Sequence, residues 1–236
     1  MGIDVKICGL TTRASVEAAV EGGARFLGFV FFPPSPRFVA PVRVAALATG
    51  LPAGVIRVGL LVDPSDDDLA AVDRNAVDML QLHGAETAER VAEIKMRFGV
   101  PVIKAIAVAD ASDLERARTY ESVVDRLLFD ARAPKGASRP GGNAVPLEWR
   151  LLRLRTWRVP WMLAGGLCLE NLKEAVAASG ATAVDVSSGV EEREGIKSNQ
   201  KIRALLALAA ALDPPAVMPA LGRHGTAVAD LKVVKS

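Results

Sequence analysis

Two residues of this 236-residue chain have the chemistry to move protons and stand at the ends of apolar runs. Cys8 closes "VKIC", and Asp130 closes "RLLFD". A thiol ordinarily titrates near pH 8.5, so it is a poor base until a cation or a helix N-terminus stabilises the thiolate. Lys6 shares a strand face with Cys8 by the period of two, yet nothing in the sequence makes it the helper. Both residues could equally point into a packed core. A carboxyl half-withdrawn from water holds its proton to higher pH and can serve as a general acid. Asp130 has that setting, followed by the basic loop "ARAPKGASRPGG", though a helix cap or a salt bridge would use the same residue.

A second group of residues has the chemistry of anion binding. "LAGGL" (163–167) and "VDVSSGVE" (184–191) each follow an apolar run with glycine. Gly165, Gly166, Ser188 and Gly189 can therefore bring backbone N–H groups close to a phosphate, aided by the partial positive charge of the following helix. Arg37 lies in "FFPPSPRFV", where three prolines stiffen the loop, and a guanidinium held this way suits bidentate capture of a carboxylate. A plain surface arginine is the alternative. Gln81 and His83 alternate on "LQLHG" (80–84).

These residues need elements to bring them together. Apolar runs rich in Val, Ile, Leu and Phe start at 5, 26, 56, 79, 101, 126, 161 and 183. Their spacing is roughly 20 to 35 residues, the length of a strand, a helix and two loops. The runs are continuous rather than alternating, as in a parallel sheet covered on both faces. Between them lie helical segments with start signals: "TTRASVEAAVEGG" opens on threonines and closes on glycines, and "DASDLERARTYE" has acids in its first turn. Eight such units predict an α/β fold, a single-domain (β/α)8 barrel over 1–212, with an open doubly wound sheet as the alternative. In a barrel the active site lies at the C-terminal strand ends, where Cys8, Arg37, Asp63, Gln81, His83, Lys104, Asp130 and the glycine turns all fall. Residues 213–236 are rich in Pro, Gly and small residues and read as a C-terminal extension outside the barrel, poorly ordered and without a role in the chemistry.

The remaining composition narrows the function classes. The 29 basic and 27 acidic residues carry no long run of one sign, which argues against nucleic-acid and membrane partners and for a small phosphorylated ligand. No apolar stretch reaches the ~18 residues that span a bilayer. The N-terminus lacks the order of a signal peptide, so the expected location is cytoplasmic. Cys8 and Cys168 are expected to stay reduced, and two histidines are too few for a zinc cluster, so no metal is expected.

Taken in order, "KICGL" (6–10), "GFVFFPPSPRFV" (28–39), "VGLLVD" (58–63), "LQLHG", "LLFDA" (127–131), "GG" (141–142), "LAGGL" with Asn171, and "VDVSSGVE" resemble phosphoribosylanthranilate isomerase, an enzyme family of tryptophan biosynthesis. The resemblance covers 4 to about 210. It implies a (β/α)8 barrel that rearranges N-(5-phosphoribosyl)anthranilate to 1-(2-carboxyphenylamino)-1-deoxyribulose 5-phosphate without a cofactor. It also implies Cys8 as general base and Asp130 as general acid, with Arg37 on the anthranilate carboxylate. Gly165, Gly166, Ser188 and Gly189 would lie around the phosphate, and Gln81 and His83 would face the pocket. The chain departs from the family pattern in "GGNAVPLEW" (141–149), where Ala144 replaces a common glycine and Leu147-Glu148 precede Trp149. It departs again at Ser198, where aspartate is common and where serine can cap the helix equally well. Two other functions fit a phosphate-binding barrel. One is the related aminoaldose isomerisation of histidine biosynthesis, for which two phosphate sites would be expected rather than one Gly-rich pair. The other is a non-catalytic scaffold, which would not need Cys8, Arg37 and Asp130 together. Monomer and homodimer both remain open.

Overall fold

In the computed structural model, the described residues are 2–72, 76–131 and 145–213. The apolar runs form strands β1 (Asp4–Cys8), β2 (Phe26–Val30), β3 (Ile56–Leu61), β4 (Met79–Leu82), β5 (Val102–Val108), β6 (Arg126–Ala131), β7 (Trp161–Ala164) and β8 (Ala183–Val186). They pair in parallel, in sequence order, and β1 closes on β8 with Lys6 opposite Asp185. The closed barrel replaces the open-sheet alternative. The helices between the strands are α1 (Arg13–Glu21), α2 (Pro41–Leu47), α3 (Asp66–Ala70), α4 (Ala88–Phe98), α5 (Ala111–Ala117), α6 (Val145–Arg153) and α7 (Leu172–Ser179). A two-stranded antiparallel ribbon, β9 (Glu191–Arg193) and β10 (Ile196–Lys197), follows β8 and precedes the last helix, α8 (Asn199–Ala211). The ribbon is absent from the sequence reading, because its polar residues carry no strand period.

Local chemistry places the helix starts. Thr12 accepts from Ser15 N, Asp110 accepts from Ser112 N in a capping box with Asp113, and Ser198 accepts from Lys201 N. The serine at 198 therefore does what an aspartate would. Gly99 and Gly180 end α4 and α7 with φ of 70° and 76°, the left-handed turn that glycine adopts without a Cβ clash.

Strand side chains alternate between two faces. Ile7, Leu27, Leu80, Val102, Leu127, Leu163 and Val184 point outward and build the large core under the helices. Phe26, Val58, Met79, Ile103, Leu128, Met162 and Ala183 point inward and plug the barrel. Above the plug, towards the C-terminal strand ends, the inward positions are Lys6 and Cys8, Gly28 and Val30, Gln81, Asp130, and Asp185. The apolar plug lies below them; Cys8, Asp130 and Asp185 reach the mouth, and the fully buried Lys6 and Gln81 lie just beneath it. Lys104 is the exception: β5 turns its odd positions inward, and Lys104 lies on the helix side. There it pairs with Glu86 at 2.9 Å and donates to the carbonyl of Gly84 at 2.8 Å. Its expected place among the mouth residues is therefore corrected.

Candidate active site

A cavity of about 350 Å³ opens at the C-terminal ends of the strands, with Cys8, Arg37, His83, Asp130, Gly165, Gly166 and Ser188 in its wall. Val30, Phe32, Leu60 and Val62 form an apolar side beside Cys8. The period-two inward positions of β1, β2, β4, β6 and β8 converge on this space, which is why residues more than a hundred positions apart meet there.

Cys8 is 4% exposed, yet it borders the cavity. Below it the fully buried Lys6 donates to Asp185 at 3.0 Å. Burial pushes the Cys8 thiol above its ordinary value; the Lys6 ammonium pulls it down, and Asp185 pushes it up again. Burial also works against the charge of Lys6, but Asp185 and Cys8 overrule it and hold the ammonium above its usual value. The cation that sequence reading did not assign to Cys8 is thus its own neighbour on the strand face. The signal was the two-residue spacing, completed by the β1–β8 register that no local pattern reveals.

On the opposite wall Asp130 lies 3.4 Å from His83 Nε2, and His83 Nδ1 lies 2.9 Å from the Gln81 amide nitrogen. If that amide donates, His83 carries its proton on Nε2 and donates to Asp130. Gln81 is fully buried and lies beneath the cavity wall, so it meets His83 and does not face the pocket as expected.

The glycine turns divide into two jobs. Gly165 and Gly166 adopt φ of 98° and 64° and line the cavity with Ser188. Gly189 is not in the wall. It bridges to Cys168, and a Cβ there would strike the Leu167 carbonyl and lie 2.9 Å from Cys168 Cα. Its glycine lets the two loops touch.

Arg37 enters the wall gripped from behind. Its Nε and Nη2 donate to the two carboxylate oxygens of Glu191 at 2.7 and 2.8 Å, and Lys197 donates to Glu191 at 2.8 Å. Burial would raise the Glu191 carboxyl, but hydrogen bonds from Arg37 and Lys197 hold it down at about 2. Burial also lowers Lys197 below its usual value, against the pull of Glu191. Lys197 further donates to the Ser187 carbonyl at 3.0 Å, and Ser187 donates to the Cys8 carbonyl at 3.1 Å. Glu191, Lys197 and Asp185 were all missed as site residues. Only the acid at the end of "VDVSSGVE" hinted at them, and the sequence offered it no partner.

The fold matches what comparisons with known proteins find. The family model for N-(5'-phosphoribosyl)anthranilate isomerase matches residues 5–207. The chain belongs to this isomerase family. An N-(5'-phosphoribosyl)anthranilate isomerase of Paramagnetospirillum magneticum is 55% identical over 207 residues, covering 87% of this chain and 96% of the relative. One from Rhodospirillum centenum is 54% identical, covering 90% and 100%. The crystal structure of the isomerase from Thermotoga maritima superposes with a TM-score of 0.78 at 34% identity, over 89% of this chain and all of that one. Another phosphoribosyl anthranilate isomerase, with TM-score 0.75 at 34% identity and coverage of 89% and 100%, is solved in complex with reduced 1-(o-carboxyphenylamino)-1-deoxyribulose 5-phosphate.

Within the family frame, the departure at Ala144 and all but the first residue of the extension 213–236 fall outside the described residues, as do residues 132–144 as a whole. Among the described residues no helix is long and apolar enough to cross a membrane, and no group of three or more His, Cys, Asp or Glu could hold a metal ion.

Proposed function

We propose that this family member isomerises N-(5'-phosphoribosyl)anthranilate with Asp130 as general acid and Cys8 as general base. The observation that carries the reading is that a carboxyl and a thiol, 122 positions apart in sequence, border one cavity whose wall also includes a guanidinium and the Gly165–Gly166 turn. Each group meets a need of the substrate. The phosphate takes the turn at Gly165, Gly166 and Ser188, which line the cavity and where glycine lets the backbone come close to an anion. The anthranilate ring lies along Val30, Phe32, Leu60 and Val62, with its carboxylate towards Arg37.

The reaction then begins with two proton transfers, one assigned to each group. Asp130 gives its proton to the furanose ring oxygen as the bond from that oxygen to C1 breaks, and the nitrogen lone pair forms the C1=N double bond. The result is a protonated Schiff base. Its positive nitrogen withdraws electrons from C2, and the Cys8 thiolate removes the C2 proton to leave an enolamine. Tautomerisation carries the enol to the C2 ketone and adds the proton at C1. The cationic Schiff base lies beside the sulfur at the moment the thiolate is needed, so it offsets part of the burial that otherwise disfavours the anion. Gln81 and His83 act through Asp130 by fixing where its carboxyl points, and Glu191 does the same for Arg37. The chemistry asks for no cofactor, the ligand is a small phosphorylated molecule, and the setting is the cytoplasm.

The test follows loss of anthranilate-type fluorescence with substrate generated in situ. Cys8→Ala and Asp130→Asn should each lower kcat by at least a hundredfold, the lower end of what positioned acid–base groups contribute. Full activity in Cys8→Ala would sink the mechanism and leave the fold intact. Rescue of a strain lacking this isomerase tests the activity itself.

A further inference from the structure

A methyl carbon built on Gly28 would lie 2.9 Å from Lys6 Nζ and 3.0 Å from Cys8 Sγ. The ammonium and the sulfur therefore share the space that a side chain on β2 would fill. Gly28 has no positive φ and makes no turn, so backbone freedom does not explain it. It sits mid-strand, opposite Cys8 in the β1–β2 register, where glycine costs strand stability. The same ammonium is held from the other side by Asp185 of β8 at 3.0 Å. Lys6 is completely buried and does not border the cavity, so it does not touch substrate.

We propose that Lys6 is a positioning residue for Cys8: its ammonium, anchored by Asp185, reaches the sulfur through the gap left at Gly28 and stabilises the thiolate from below. This inference rests on the reading of Cys8 as the base. Asp185 and the thiolate are rivals for one cation, so they influence each other with opposite sign. Removing Lys6 takes a positive charge from the thiolate. Neutralising Asp185 releases that charge towards it. The geometry supports the pairing, since ammonium and sulfur both crowd the one point where a Gly28 side chain would begin, and each favours the charged form of the other. Among the described residues, the other charged groups facing Cys8 are Lys197 of β10, which favours the thiolate, and Arg37 on the β2–α2 loop; His83 and Asp130 lie in the far wall.

The test reads the thiol directly. In the full chain carrying Cys168→Ser, Cys8 is the only cysteine left, and its alkylation by iodoacetamide is followed from pH 6 to 10. Lys6→Met should move the inflection to higher pH and slow alkylation at pH 7.5 by about threefold or more, a tenfold smaller thiolate fraction being partly offset by a more nucleophilic sulfur. Asp185→Asn should move it to lower pH. Gly28→Ala keeps every charge while driving the flexible ammonium away, and should move it up, with kcat reduced and KM held. A merely structural role would not produce shifts of opposite sign. If Lys6→Met does not fold, Gly28→Ala and Asp185→Asn make the same comparison. An unmoved profile in the folded variants, or shifts of one sign in Asp185→Asn and either of the others, overturns the proposal. The outcome is separable from that of the mechanism: activity in Cys8→Ala would end the role of Cys8 as base and leave the charge pairing standing. An unmoved thiol profile with an inactive Cys8→Ala would do the reverse.

Discussion

Glu191 shows how one carboxylate can organise a wall of the site. It takes both oxygens' worth of hydrogen bonds from Arg37 and a third from Lys197, so the guanidinium is fixed before any ligand arrives. The cost of this arrangement appears in acid. A carboxyl whose pKa drops from 4.5 to about 2 on folding contributes roughly 3 kcal/mol of stability, fully present above pH 4.5 and lost as the pH falls towards 2. Urea unfolding of the native chain should therefore weaken across that window, and the stability gap to Glu191→Gln should narrow as the two states become chemically alike. A gap that stays constant from pH 5 to 2.5 would contradict the assignment. The residue scale is also where sequence was least informative. Cys8 and Asp130 at strand ends, and Arg37 in the loop after β2, were legible as residues of one cavity wall. Glu191, Lys197 and Asp185 matter because of partners brought by long-range register, which local spacing cannot express.

Among the elements, strands were the most readable, because continuous Val, Ile and Leu runs have few other uses in a globular chain. Helix starts followed from caps, as at Thr12 and Asp110. The β9–β10 ribbon escaped detection because "EEREGIK" is polar and alternates no apolar residue, yet it delivers Glu191 and Lys197 to the site. Lys104 was misplaced for a related reason: it is a strand residue near the right end, and only the phase of β5 decides which face it takes. Between the ribbon and α8, Ser198 supplies the helix cap, accepting from Lys201 N. Ser198→Ala should lower stability by about 1 kcal/mol in denaturant unfolding, while Ser198→Asp should hold or improve it, since a carboxylate also suits the helix N-terminus. Equal stability of all three would show that the serine does not cap.

For the whole molecule, the described barrel ends with α8, which packs on α1 and β1 and completes the ring. A chain truncated after Leu212 should keep its fluorescence-assayed turnover and its solubility, because every wall residue named above precedes that point; loss of soluble protein would show that the remainder packs on the barrel. The barrel's closure has a further consequence in time. Lys6 meets Asp185, and the Cys8 carbonyl meets Ser187, across 179 positions at the β1–β8 seam. A ribosome makes the strand that carries the thiol 179 positions before the strand that stitches it. Until β8 docks, Cys8 has an ammonium neighbour with no anchor and a carbonyl with no donor. An incomplete product of synthesis therefore lacks the wall in which Cys8 stands, and the cavity beside the sulfur is complete only with the finished circle.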